Sequence, residues 1–224
     1  DQDREELQSY LLDHPDDFVT HILQFNEMLA RYRAASQEIT TKLEILRNDF
    51  NTRQYRNPIE SIKSRLKSTD SLAKKLARKG FPMSVDSIEQ NIYDVAGVRV
   101  VCTFPEDMFS LADSLLSQDD VRLIERRDYV AAPKPSGYRS LHLIIEVPIF
   151  LEREKRSVKV EVQLRTISMN FWASLEHQLR YKKDLPGEEA AAVAAELADL
   201  AETAADLDRR MQALRNYLDD GEEN

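Results

Sequence analysis

Three short segments carry the residue types that nucleotide chemistry uses. The loop Ala132-Pro133-Lys134-Pro135-Ser136-Gly137-Tyr138-Arg139-Ser140-Leu141-His142 holds two prolines and a glycine around cations, hydroxyls and an aromatic ring. Such a loop is shaped by its own backbone, and it offers Tyr138 to stack on a base and Lys134 to meet a phosphate; a turn capped by a tyrosine is the plainer alternative. In Asn91-Ile92-Tyr93-Asp94-Val95-Ala96-Gly97-Val98-Arg99 an acid stands just before an apolar run and an arginine within it. Asp94 can hold a hard cation such as Mg2+ through oxygen while Arg99 neutralises phosphate charge, or the two can pair with each other. Strict alternation in Val158-Lys159-Val160-Glu161-Val162-Gln163-Leu164-Arg165 puts four apolar residues on one strand face and four polar ones on the other, which is either solvated or a site.

A fourth feature is electrostatic. Between Lys63 and Lys79 seven basic residues stand against Asp70, a local charge of +6 in a chain whose net charge is −9. The overall acidity argues against broad binding to a nucleic-acid backbone as the main activity. The local patch suits a compact anion, or else is a solvated helix face.

The elements that must position these segments follow from periodicity. Phe18, Ile22, Phe25, Leu29, Tyr32, Ile39, Leu43, Leu46 and Phe50 keep a 4-3 rhythm broken only at Ser36, which predicts a long amphipathic helix or helix pair. Val193, Leu197, Leu200, Ala204, Leu207, Met211, Leu214 and Leu218 repeat it on an alanine-rich background. These two segments are expected to pack on each other or on another subunit. Between them, 95–104, 121–130, 140–151 and 158–165 read as strands, 106–117 and 167–183 as helices, and Leu185-Pro186-Gly187 as punctuation. With 224 residues, one cysteine inside an apolar run and no basic-then-apolar leader, the chain is expected to be one soluble, intracellular domain, or one with helical extensions, holding one active site and having no membrane partner. Cys102 is expected to be inert core.

Taken together, Ser64-Arg65-Leu66-Lys67-Ser68, Asp94-Val95-Ala96-Gly97-Val98-Arg99, Asp128-Tyr129 with Pro133-Lys134 and Gly137-Tyr138-Arg139-Ser140-Leu141-His142, and Glu161-Val162-Gln163-Leu164-Arg165-Thr166 resemble the synthetase domain of the RelA/SpoT family. Asn170-Phe171-Trp172-Ala173-Ser174-Leu175-Glu176-His177 is similar to its small, single-domain branch. The resemblance covers roughly residues 55 to 183.

The resemblance implies an α+β fold, a nucleotidyltransferase-like mixed β-sheet flanked by helices, divided into a helical extension (1–54), a synthetase domain (55–184) and a C-terminal helix (185–224). It implies transfer of pyrophosphate from ATP to the 3′-hydroxyl of GTP or GDP, with GMP a further acceptor, to make alarmones. By the match, Arg65, Lys67, Ser71, Lys75 and Arg99 bind ATP; Lys134, Tyr138, His142, Gln163 and Asn170 bind the guanine nucleotide; Asp94 and Glu161 hold Mg2+, and Glu161 is also the base. Such a transfer needs positioned charge and an oriented hydroxyl, with no covalent enzyme intermediate. His14, His21, His142 and His177 form no His-Asp pair, so synthesis without hydrolysis is expected; His177 is either part of the site or a helix residue packed beneath it. Ser136 stands where long members carry asparagine, and 58–63 lacks the phenylalanine and threonine of an alarmone-binding motif. A homo-oligomer, a tetramer by analogy of size, is expected. The rival readings are a relative acting on an adenine nucleotide or a tRNA 3′ end, and a non-catalytic nucleotide- or RNA-binding regulator.

Overall fold

The computed structural model describes residues 15–54, 57–181 and 187–222; His14, the end of the helix predicted over 167–183 and the Leu185-Pro186 punctuation lie outside them. In chain order the elements are α1 (Pro15–Gln54), β1 (Ile59–Leu66), α2 (Thr69–Lys79), α3 (Val85–Asn91), β2 (Ala96–Cys102), α4 (Pro105–Leu116), β3 (Arg122–Asp128), β4 (Leu141–Phe150), β5 (Lys155–Thr166), α5 (Ile167–Tyr181) and α6 (Gly187–Glu222). The strands form one sheet in the order β1-β2-β5-β4-β3. Among the described strands only β2 and β5 pair in parallel. This is the mixed sheet flanked by helices, with long helical extensions, that the resemblance implies.

One face of the sheet is apolar. Val158, Val160, Val162 and Leu164 of β5 lie beside Val98 and Val100 of β2 and Leu143 and Ile145 of β4, all buried. Helix α1 packs along β1, β2, β4 and β5 on this core through Met28, Tyr32, Ala35, Ile39 and Leu43, and α4 adds Met108, Leu111 and Leu115. Of the two readings, one long helix or a helix pair, the first holds: α1 is a single helix of 40 residues, and its deepest stripe includes Met28 where the rhythm pointed to Leu29. Ser36, the break in the rhythm, is buried and satisfies its hydroxyl on the Arg33 carbonyl at 3.1 Å. Cys102 is fully buried, and burial followed by the charge of Asp107 pushes its thiol pKa up, which leaves it inert.

Two elements depart from the sequence reading. The basic segment 63–79 is not one helix face: Lys63 and Arg65 belong to edge strand β1 and the remainder to α2. A register shift between Ile59 and Ser61 puts an extra residue into β1, so its inward residues Ile59 and Ile62 are three apart and imitate helical spacing. The two long helices do not pack face to face. Helix α6 packs on α5 and α4 instead. None of the described helices is long and apolar enough to cross a membrane.

Candidate active site

The other sheet face carries the chemistry, because the registers bring polar residues of all five strands into line. Lys63 of β1 faces Arg99 of β2, which faces Gln163 of β5, which faces His142 of β4, which faces Arg127 of β3. One pleat away, Arg65, Gly97 and Glu161 form a parallel row. The solvated reading of the β5 polar face does not hold: Glu161 is 8% exposed and Arg165 is 6% exposed.

Glu161 sits at the centre. Its Oε2 accepts from Gln163 Nε2 at 2.8 Å, and its Oε1 lies 3.3 Å from His142 Nδ1. Burial and the charge of Asp94 push its pKa up, but the bonds from His142 and Gln163 outweigh them and hold it below the usual carboxylate range. Glu161 is therefore ionised at neutral pH.

Asp94, just ahead of β2, does not pair with Arg99 as one reading had it. Its Oδ2 accepts from Lys67 Nζ at 2.7 Å and its Oδ1 from Lys75 Nζ at 2.6 Å, which joins β1, α2 and the start of β2. Against the opposing effect of burial, these two ammonium groups lower its pKa. Asp94 and Glu161 line one cavity of about 390 Å³ with Lys75, Lys79, Tyr93 and Arg127. Two ionised carboxylates in one cavity are hard oxygen donors, and among the described residues no third His, Cys, Asp or Glu joins them. That donor set fits Mg2+, which takes one or two carboxylates and fills its remaining positions with water and substrate phosphate.

A second cavity, of about 250 Å³, is lined by Lys63, Arg65, Gly97, Arg99 and Gln163. Among the described residues Arg65 and Arg99 have no carboxylate partner, and Arg99 Nε is buried without a hydrogen bond. Burial first, then the charges of Arg165 and Arg65, lower the pKa of Arg99. An arginine pair without a counter-ion in a cleft is a site for an anion. Ser71 lines neither cavity; its hydroxyl accepts from Ser68 Oγ at 2.8 Å in the N-cap of α2.

The loop before β4 is shaped as its sequence predicts. Asp128 Oδ1 accepts from the backbone of Val130 and Ala131, and Gly137 N donates to the Lys134 carbonyl at 2.8 Å with φ +89° at the glycine. The fold-back places Lys134 Nζ 4.8 Å from the ring centre of Tyr138 and 4.6 Å from that of Tyr129. Tyr138 Oη lies 2.9 Å from His142 Nε2 and accepts from Arg165 Nη2 at 2.7 Å. Asn170, in the first turn of α5, accepts from Arg165 Nη1 at 3.5 Å. The structure thus brings Tyr138, His142, Gln163 and Asn170 around one guanidinium and one carboxylate, with Lys134 over the Tyr138 ring. Arg139, inside the same motif, turns away and binds the Ala201 carbonyl and Glu202 of α6. His177 is exposed on α5, which removes the reading that packed it beneath the site.

The profile of a region found in RelA/SpoT proteins matches residues 64–185, more than half of the chain. The chain belongs to the RelA/SpoT family. Its sequence is 40% identical over 208 residues to the GTP pyrophosphokinase YwaC of Bacillus subtilis, covering 92% of this chain and 97% of that one. The fold is similar to that of small alarmone synthetase 1 from Bacillus subtilis bound to its product pppGpp, with TM-score 0.77 and 35% identity over 87% of this chain and 97% of that one. The same synthetase bound to AMPCPP gives TM-score 0.72 and 31% identity over 88% and 98%.

Three further residues stand in this arrangement to which the sequence reading gave no individual role. Arg127 stands opposite His142 and lines the carboxylate cavity, with its guanidinium held by Glu125 at 2.6 and 2.7 Å. Lys79 lines the same cavity from the end of α2. Arg165 continues the β5 alternation beyond Gln163, and that alternation was the signal for it.

Proposed function

We infer that this chain is a GTP pyrophosphokinase, which transfers the pyrophosphate of ATP to the 3′-hydroxyl of a guanine nucleotide. One observation carries the reading: the ionised, buried Glu161 shares a cavity with Asp94 and lies between a cation-lined cleft and an aromatic loop. In this reading the acceptor's 3′-oxygen attacks the β-phosphorus of ATP, the bond to the bridging α,β-oxygen breaks, AMP leaves, and the hydroxyl proton goes to Glu161.

Arg65 and Arg99 supply counter-charge for the polyphosphate, and Lys67 and Lys75 exchange their bonds to Asp94 for phosphate oxygens. Ser71 acts with them through the N-terminal turn of α2. Asp94 and Glu161 would hold Mg2+, which when bound neutralises pyrophosphate charge. On the acceptor side Tyr138 stacks on the guanine, Lys134 meets its 5′-phosphates, and His142, Gln163 and Asn170 fix the sugar and phosphates. A positioned base contributes about 10²–10⁴ in rate, and the remainder comes from orientation and fixed charge. That the relatives include a synthetase bound to pppGpp and to AMPCPP, a methylene analogue of ATP, supports this pair of substrates. We place the enzyme in the cytoplasm, where ATP and guanine nucleotides are both available.

The enzyme works as a homo-oligomer, most simply a tetramer. An apolar groove of about 570 Å³ between α5 and α6 is lined by Phe171, Leu175, Leu200, Leu207 and Met211, all of them exposed. A second copy of the same helices would cover it. Light scattering at micromolar concentration tests this, and a monomer alone would refute it. For the activity itself, chromatography after incubation with ATP, Mg2+ and GMP, GDP or GTP in turn should show a guanine nucleotide gaining two phosphates. No such product with any of the three would refute the assignment.

A further inference from the structure

We propose that Arg165 is the positioning residue of the acceptor side, acting chiefly through the hydroxyl of Tyr138. The proposal rests on the guanine-nucleotide reading given above. A guanidinium is always charged, and burying one without an acid partner is costly. Arg165 is 6% exposed, has no carboxylate partner among the described residues, and leaves its Nε without a hydrogen bond. All its acceptors are neutral: Tyr138 Oη at 2.7 Å, Gln163 Oε1 at 3.3 Å and Asn170 Oδ1 at 3.5 Å. Those three residues come from the loop, from β5 and from α5, and each stands on the acceptor side. The shortest bond is to Tyr138, and the guanidinium carbon is 5.1 Å from that ring's centre.

Donor chemistry then sets the direction of the bonds from both ends. Arginine only donates, so Tyr138 Oη accepts from it and keeps its own hydrogen to give, with His142 Nε2 2.9 Å away. At the other end the ionised Glu161 only accepts, so a neutral His142 carries its proton on Nδ1, 3.3 Å from Glu161 Oε1, and leaves Nε2 to accept from Tyr138. One buried cation thereby holds the Tyr138 hydroxyl at the head of a chain of bonds that runs through His142 to Glu161. Without it that hydroxyl keeps only its bond to His142, and the aromatic ring loses the shorter of the two contacts at its outer end.

The test is a double-mutant cycle read by calorimetric titration with GDP and, separately, with AMPCPP. Wild-type protein must bind GDP; if it does not, the acceptor reading itself fails. Given that it does, Arg165→Gln should weaken GDP about tenfold or more and leave AMPCPP within about twofold. In a Tyr138→Phe background, which keeps the ring and removes the hydroxyl, most of that loss should disappear. Should Arg165→Gln fail to fold, Arg165→Lys keeps the buried charge without the fork and is expected to show the same selective loss of GDP. Equal loss of both nucleotides, or the same effect of the substitution with and without the Tyr138 hydroxyl, would overturn the proposal while leaving the activity assignment intact.

Discussion

Replacing Glu161 by glutamine keeps the side-chain volume and removes one charge, so its consequences for folding and for chemistry separate. Glu161 accepts from Gln163 at 2.8 Å and faces His142 at 3.3 Å. A glutamine there offers one accepting oxygen and one NH2, so it keeps one of these bonds and sets a donor against a donor at the other. Rotation of the Gln163 amide would restore that bond but give up the contact with Arg165 at 3.3 Å. The loss is thus about one hydrogen bond, roughly 1 kcal/mol, and it is offset in part by removing a desolvated charge that Asp94 repels. Melting temperature should shift by a few degrees at most. Turnover should fall by about 10²–10⁴ if Glu161 is the base, and further if Mg2+ loses its ligand. The assay is AMP release dependent on GDP, with GDP titration as a binding control. A folded variant with near-normal turnover would refute the role given to Glu161.

Two further substitutions probe the frame. Asp94→Asn takes the charge partner from both Lys67 and Lys75 and turns an NH2 donor toward one of them, which should destabilise the protein by about 1–3 kcal/mol. Because the folded pKa of Asp94 is lowered, its contribution is complete above the ordinary aspartate value of about 3.9 and is lost as pH falls through the depressed one. Thermal melts should therefore show the gap between wild type and variant closing only below about pH 4, and a gap that closes near neutrality would contradict the pairing. Gly137→Ala places a methyl 2.6 Å from Ala201 Cβ at a residue with φ +89°. Strain and overpacking should together cost about 2–4 kcal/mol, and the retreat of α6 should weaken GDP more than AMPCPP; unchanged denaturation and GDP binding would contradict the clasp between loop and helix.

How much of this was legible beforehand depended on distance along the chain. The alternation of Val158 to Arg165 displayed both faces of β5, and Pro-Gly punctuation announced the Lys134–Tyr138 turn, because each is a local pattern. Strand β1 was hidden because a bulge breaks its alternation, and an edge strand with one buried face tolerates polar residues such as Glu60 and Ser64. The pairing of Asp94 with Arg99, one of two readings that the sequence leaves open, fails for a different reason. Arg99 lies five positions away in sequence, yet its strand carries it into the neighbouring cleft, while Lys67 and Lys75 arrive from 27 and 19 positions upstream. The Arg165–Tyr138 bond joins residues 27 apart, and the hold of Arg139 on Glu202 spans 63. Pairings of that reach are set by sheet order and by the docking of α6, neither of which any spacing encodes.

The central claim is that a pyrophosphoryl group moves as a unit from ATP to a guanine nucleotide. It is tested most directly with ATP labelled on its β-phosphorus, incubated with Mg2+ and GDP, by following where the label goes and which adenine nucleotide remains. Label should enter the guanine nucleotide one-for-one with AMP, and neither should appear when GDP is left out. Formation of ADP in place of AMP, or label that stays on the adenine nucleotide, would contradict it.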